Sequence, residues 1–395
     1  MFSELSPLPA DPILGLTAAY KSDQNPQKID LGVGVYKDEV GHTPIMEAVK
    51  RAEQLRLDSE NTKTYQSPAG DPEYDRLISQ LLLGDCVSIC RVDSVQVPGG
   101  TGGLRVAAGL VKRCKSDATI WVSSPTWANH APVFTGAGLE VREYPYYNAR
   151  LKGVDFEAMR STLSTLGPND VVVLHGCCHN PTGADLSQAQ WEEVNQLALE
   201  RGFMPFIDIA YQGFGRGLAE DAFGVRLLAK SVPELIVVSS ASKNFGLYRE
   251  RTGAVFLISS DISQQDSALE HLLNVARSTY SMPPAHGAAI VSAILSDAQL
   301  CAVWDAELTV MRDRMNQCRN ALADRLQELG TADRFEHIRA QLGMFSYLGL
   351  ELEQVERLRA DFGIYMVNSS RVNIAGVNQH NLDYLASSIA AVIAQ

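Results

Sequence analysis

Lys243 lies in the run Ser239-Ser240-Ala241-Ser242-Lys243-Asn244-Phe245-Gly246, directly after the apolar stretch 235–238 and a few residues before Arg249 and Arg251. A lysine at the end of a buried strand, beside hydroxyls and a fixed cation, titrates below its solution value, because desolvation and a like charge both disfavour the ammonium. Its neutral amine is a nucleophile for aldehydes. Asp208 closes a second apolar stretch, 204–207, and stands three residues before Tyr211. A carboxylate at such a strand end needs a partner, since burying it alone costs several kcal/mol. A pyridinium nitrogen satisfies it, as does a helix cap or a core ion pair.

Three further segments carry polar groups just past apolar stretches. His179-Asn180-Pro181-Thr182-Gly183 has turn composition, and its Asn180 amide can donate to a phenolate-type oxygen, with Pro181 a candidate for a cis bond. Pro98-Gly99-Gly100-Thr101-Gly102-Gly103 precedes the helix-like 104–113, so free backbone N–H groups and the Thr101 hydroxyl make either an anion cup suited to phosphate or a simple tight turn. The lysine of a Walker loop and the distal acid of a dinucleotide fingerprint are both missing. Arg371 sits inside an otherwise apolar stretch, where a planar guanidinium means bidentate carboxylate recognition, of a protein group or of a ligand. Arg277, read alone, is a solvated surface charge.

The elements that must hold these groups are short β-branched runs at 94–97, 119–123, 171–175, 204–209, 235–239 and 253–258, alternating with segments of helical period. Continuous apolar strands between helices predict an α/β fold with a mostly parallel sheet covered on both faces. Ligands of such sheets gather beyond the carboxyl ends of the strands, where the polar motifs begin. Apolar residues at helical spacing from Trp304 to Leu329, followed by Gly330, predict one helix of about 40 Å that joins two lobes. Beyond it, strands at 345–350 and 365–374 and a helix at 353–362 predict a small α+β lobe. The domain expectation is an arm and part of the small domain at 1–43, a large domain at 44–302, and the long helix with the small domain at 303–395.

The chain has 395 residues and a net charge of −12, from 46 acidic and 34 basic side chains. That balance disfavours nucleic acid and anionic membranes as partners, and an anionic substrate must find local arginines. The seven cysteines, at 86, 90, 114, 177, 178, 301 and 318, form no paired zinc spacing, so no metal is expected and the thiols read as reduced. Residues 1–16 lack a basic start and an apolar core, and no apolar run reaches membrane-spanning length, so the expectation is a cytoplasmic protein.

Taken together, Gly100-Thr101, Asn180-Pro181-Thr182-Gly183, Asp208 with Tyr211, Ser240 with Lys243 and Arg251, and Arg371 resemble the class I pyridoxal-phosphate aminotransferases, with the aspartate and aromatic amino-acid branch fitting best. The resemblance spans the whole chain, including the runs from Asp11 to Leu16, Leu31 to Tyr36 and Pro283 to Gly287. It implies the type I fold of these enzymes, with a large domain around a mostly parallel seven-stranded sheet plus a smaller α+β domain. It implies that Lys243 holds the aldehyde of pyridoxal 5'-phosphate and then moves the substrate's Cα proton. Asp208 keeps the pyridine nitrogen protonated, while Tyr211 and Asn180 donate to the phenolic oxygen. Gly100, Thr101, Ser240 and Arg251 hold the phosphate, Trp127 stacks on the ring, and His130 and His175 stand behind it.

The same resemblance implies a homodimer with shared sites, in which Tyr65 reaches the neighbour's phosphate and Arg277 the distal carboxylate of the neighbour's substrate. Arg371, helped by the Gly34 backbone and Asn180, takes the α-carboxylate. The substrates implied are amino acids and 2-oxo acids, aspartate with 2-oxoglutarate first. Val35, Lys37 and Thr43 fit an aspartate preference, whereas Thr64 and Met282 soften the neighbourhood of Arg277 and admit phenylalanine or tyrosine. A primarily aromatic enzyme is the alternative. A lyase or decarboxylase on the same cofactor, a nicotinamide-dependent oxidoreductase and a non-catalytic binding module are the remaining readings.

Overall fold

The order in which the strands pair explains where the site must lie. In a computed structural model that describes residues 2–7, 12–88 and 91–394, seven strands form one sheet: β1 (Val92–Pro98), β2 (Thr119–Ser124), β3 (Glu140–Pro145), β4 (Asp170–His175), β5 (Met204–Ile209), β6 (Glu234–Ser240) and β7 (Thr252–Ser259). Asp11 and Cys90 lie outside the described residues. Their order is β1-β7-β6-β5-β4-β2-β3, with β7 antiparallel to both neighbours and every other pairing parallel. The register sets His175 opposite Asp208 and Ile209 opposite Ser239, so the polar ends of three strands are level.

Val97, Val122, Val173, Phe206, Val238 and Val255 form part of the core. Helices α1 (Gly99–Cys114) and α2 (Ile262–Thr279) contribute buried Leu104, Val106, Leu272 and Ala276 to it. Two expectations change in detail. The edge strand β3 was not anticipated, because its sequence, EVREYP, is half charged and mostly exposed, and only Tyr144 within it is buried. The glycine run is itself the first turn of α1 rather than a loop ahead of it.

The chain divides into two units, residues 1–43 with 314–395 and residues 44–313. The division falls inside the long helix α3 (Ala298–Leu326), eleven residues beyond the boundary expected at 302, because the helix changes partners there. Within the larger unit, Trp304 is fully buried, stacks on Phe245 at 4.5 Å and donates from Nε1 to the Asn244 carbonyl at 2.8 Å. Arg312 donates to the Gly213 carbonyl. From Arg314 onward the bonds belong to the smaller unit, where its guanidinium donates to the carbonyls of Lys37, Asp38, Ala375 and Val377.

In that smaller unit the expected strand 365–374 is two separate pieces. Ile364–Tyr365 pairs with Ile29–Asp30, and Arg371–Asn373 pairs with Phe345–Tyr347. Ser370, at φ 68°, turns the chain between them. Among the described residues, no single helix is long and apolar enough to cross a membrane.

Trp304 anchors the residues that follow Lys243, and two substitutions separate its contributions. Trp304→Ala removes the stack and leaves a cavity, so it should cost about 3–5 kcal/mol in urea denaturation. Trp304→Phe keeps a ring on Phe245 and loses the bond to Asn244, and should cost about 1 kcal/mol.

Candidate active site

Asp208 is the last residue but one of β5, with its side chain 11% exposed, and its Oδ2 lies 3.0 Å from Nε2 of the fully buried His130. Burial pushes this carboxyl up, but the hydrogen bond to His130 and the charges around it, that of Lys243 among them, outweigh it, so the net direction is down. Asp208 is therefore an anion at neutral pH. His130 is fixed in turn by Thr126, whose Oγ1 lies 2.7 Å from Nδ1 and 3.1 Å from Nε2 of His175. Trp127 stands edge-on to His130 at 5.4 Å.

The chain of rings continues to residues that the sequence reading left without a role. His175 packs on His179 at 4.1 Å, and His179 stacks flat on Tyr146 at 4.1 Å. Both nitrogens of His179 are engaged, Nε2 with Ser123 Oγ at 2.9 Å and Nδ1 with Thr182 Oγ1 at 2.8 Å. Burial holds His175 well below the ordinary histidine value and His179 down to about 3. Both rings are neutral, and they back the Asp208 anion without cancelling it. Asp185 was also missed: its carboxylate accepts from the backbone N–H groups of Cys178 and His179 at 2.7 and 2.8 Å, setting the loop that presents Asn180. Asn180 is buried and precedes a cis proline, as its turn composition allowed.

Lys243 follows β6 in a tight turn closed by the Gly246 N–H on its carbonyl at 3.0 Å. Its Nζ lies 4.8 Å from the centroid of the Tyr211 ring. Burial lowers its pKa, Asp208 pulls it back up and Arg251 pushes it down again, to a net value of about 8. The amine is thus partly neutral near physiological pH, as a nucleophile and proton carrier must be.

The third part is a cup of donors. Gly99 opens α1 at φ 73°, and a Cβ there would meet the Arg251 guanidinium at 2.6 Å, so only glycine lets the arginine lie over the helix start. Arg251 Nη1 donates to Ser242 Oγ at 3.3 Å, and Ser240 Oγ lies 3.0 Å from Ser242 Oγ. A helix N-terminus with Thr101, two serine hydroxyls and a guanidinium is a donor set for a phosphate.

The remaining expected residues lie elsewhere. In the smaller unit, Arg371 is buried, donates to the Gly32 carbonyl at 2.6 Å and lies 4.2 Å over the Phe345 ring. A Cβ on Gly34 would come within 2.9 Å of that ring. Lys37 is tied to Asp30 at 3.0 Å, and Thr43 donates to the Tyr36 carbonyl. Arg319, unnoticed in the sequence, is 1% exposed and holds Ser346 and the Gly343 carbonyl beside this cluster. In the larger unit, Tyr65 is 90% exposed and Arg277 stands at the exposed end of α2. Tyr65, Thr64 and Met282 line one depression of about 650 Å³.

Among the described residues, Cys177, Cys178 and Asp221 come close enough to share an ion. Asp221 already accepts three backbone N–H bonds, from Gly213, Gly215 and Arg216, and burial drives the Cys177 thiol up, so the cluster is built as a turn support.

Comparison with known proteins decides the family: the description "Aminotransferase class I and II" matches residues 26–389. The chain belongs to the class I and II aminotransferases. It is 48% identical over 396 residues to the aspartate aminotransferase of Escherichia coli K12, with 100% of both chains covered. It is 46% identical over 392 residues to the aromatic-amino-acid aminotransferase of Paracoccus denitrificans, covering 99% of this chain and 100% of that one. The structure of an aromatic-amino-acid aminotransferase from Burkholderia pseudomallei, covalently bound to pyridoxal phosphate, superposes with a TM-score of 0.97 at 45% identity and 99% coverage of both. This aminotransferase is a transaminase dependent on pyridoxal phosphate, and its donor cup, anionic Asp208 and depressed Lys243 suit that cofactor.

The Lys243 value has a direct consequence for loading. Protein stripped of cofactor should capture pyridoxal phosphate slowly below pH 8, faster as pH rises through about 8, and at a constant rate above, because only the neutral amine attacks. An amine with the ordinary lysine value would instead keep gaining rate up to about pH 10. Stopped-flow absorbance of the cofactor across that range distinguishes the two.

Proposed function

We propose that this aminotransferase exchanges amino groups between dicarboxylic L-amino acids, aspartate foremost, and 2-oxoglutarate, that it takes aromatic amino acids as a second substrate class, and that it works as a homodimer with shared sites. The observation that carries the reading is the Lys243 amine, poised near neutrality between Asp208 and Arg251. Pyridoxal phosphate supplies an aldehyde for the amino group and an electron-accepting ring. The rest falls to the chain's own side chains. Lys243 would take the proton from the substrate's Cα as general base and give it back as general acid. Asp208, held by His130, keeps a proton on the pyridine nitrogen. Tyr211 and Asn180 serve the phenolic oxygen, Trp127 the ring face, and Gly100, Thr101, Ser240 and Arg251 the phosphate.

Two arginines for two carboxylates support the dicarboxylate preference. Arg371, already stacked on Phe345, takes the α-carboxylate beside Gly34, and Arg277 takes the distal one in the neighbouring subunit. The exposure of Tyr65 and Arg277 is what residues serving a second subunit require. Relatives named for aspartate and for aromatic amino acids stand at similar identity, so names alone do not rank the substrates. One observation favours the aromatic class as the main one: Met282 and Thr64 give the depression around Tyr65 a soft wall.

Shared sites are tested by mixing. Lys243→Ala should be folded and inactive, and Arg277→Leu should lose about 10- to 100-fold in kcat/KM for aspartate, the worth of one or two charge-assisted bonds. Refolded together, the two should recover about a quarter of wild-type sites, because each mixed dimer rebuilds one complete site. Recovery of none would mean that each chain supplies its own Arg277. Single-turnover cofactor absorbance with aspartate and with phenylalanine ranks the substrates. Aspartate should be much the faster, and a faster phenylalanine reaction would make this an aromatic enzyme.

A further inference from the structure

The guanidinium of Arg371 lies 4.2 Å over the centre of the Phe345 ring, so where that ring stands decides where the arginine rests. The ring is closely confined. A Cβ on Gly34 would lie 2.9 Å from Phe345 Cζ, and the backbone on either side of that glycine is pinned by Asn373, whose Nδ2 donates to the Val33 and Val35 carbonyls at 2.7 Å each. The strands Phe345–Tyr347 and Arg371–Asn373 pair antiparallel, with Tyr347 opposite Arg371 and Phe345 opposite Asn373. A shift of residues 343–347 therefore carries the ring with it, and so the support of the arginine.

One side chain of the long helix holds that segment. Arg319 of α3 is 1% exposed, and its Nε donates to Ser346 Oγ at 3.1 Å, its Nη2 to the Gly343 carbonyl and its Nη1 to Asn316 Oδ1 at 2.9 Å. Gly343 and Ser346 bracket Phe345 in the chain, and Asn316, one turn earlier on the helix, fixes the guanidinium that grips them. All of these residues belong to the smaller unit. A planar fork of fixed donors holds two points of a segment at once, which an ammonium on a flexible stem does less well. Desolvating a guanidinium is costly, and methionine would fill similar space without that cost, so packing alone gives no reason for an arginine here.

We propose that Arg319 is a positioning residue for recognition of the substrate's α-carboxylate: through Gly343 and Ser346 it sets the Phe345 ring, and the ring sets the guanidinium plane of Arg371. The proposal rests on the reading that Arg371 takes that carboxylate. A bidentate pair needs two N–H groups aimed at two oxygens, so a tilted plane loses one of its two bonds.

The test follows cofactor absorbance of the loaded enzyme in single turnover with L-aspartate and with isoasparagine, in which a neutral amide replaces the α-carboxylate. The ratio of the two rates per concentration reports on that group alone. Arg319→Met should lower the ratio about tenfold, by slowing aspartate while isoasparagine stays within about twofold of the wild type. Arg319→Lys should recover part of the loss, since an ammonium still reaches one of the acceptors. Ser346→Ala keeps the buried cation and removes one acceptor, so it should lower the ratio about threefold and serves if Arg319→Met does not fold. An unchanged ratio in the folded variants, or equal losses with both compounds, overturns the proposal. Arg371→Leu separates the two readings. If the ratio survives there, the role of Arg371 itself falls; if it collapses there and holds in the Arg319 and Ser346 variants, only the positioning role falls.

Discussion

The arrangement rests on a carboxylate kept ionised where water hardly reaches. Asp208 sits at the end of a central strand, and an unsupported anion there would protonate or destabilise the fold. The structure answers with His130 at 3.0 Å, oriented by Thr126, and with the positive field of Lys243. Because that support comes from residues 126 and 130 after one strand, 175 at the end of another and 243 after a third, the anion survives only when all three strand ends are level. The parallel register that sets Trp121 against Val172, His175 against Asp208 and Ile209 against Ser239 does this.

The neighbouring histidines show why the support has to be polar without being charged. A protonated His175 near Asp208 would offset the charge of that anion. Burial holds both rings in the neutral form, while the stack on Tyr146 and the hydroxyls of Ser123 and Thr182 fix His179 in place. The rings thus act as a neutral backing to Asp208, while the charges that act on Lys243 come from Asp208 and Arg251.

The sequence made much of this legible. Parallel strands buried on both faces read as continuous apolar runs, and six of the seven strands stood out for that reason, as did the polar groups at their ends. The charged edge strand β3 did not, because an exposed edge carries no apolar run. The long helix was visible in its period, but the point at which it passes from one unit to the other was not. That point depends on Arg314 finding four backbone carbonyls far away in the chain. His179, Asp185 and Arg319 were likewise illegible, since a histidine, an aspartate and an arginine in turn or helix segments look like surface residues until their partners are placed.

The titration of Lys243 shows how the parts depend on one another. Burial alone would carry its pKa far down, and Arg251 adds to that push, while Asp208 opposes both. Remove the aspartate's charge and the ammonium loses a stabilising anion; remove the arginine and the ammonium gains. An anion placed against Arg251 would screen part of its push, and a cation placed against Asp208 would screen part of its pull. The two fields thus oppose each other, and the free amine stays near neutrality only while both are present. A site with only one of the two charges would lose that balance, which is a physical reason for Asp208 and Arg251 to flank Lys243 together.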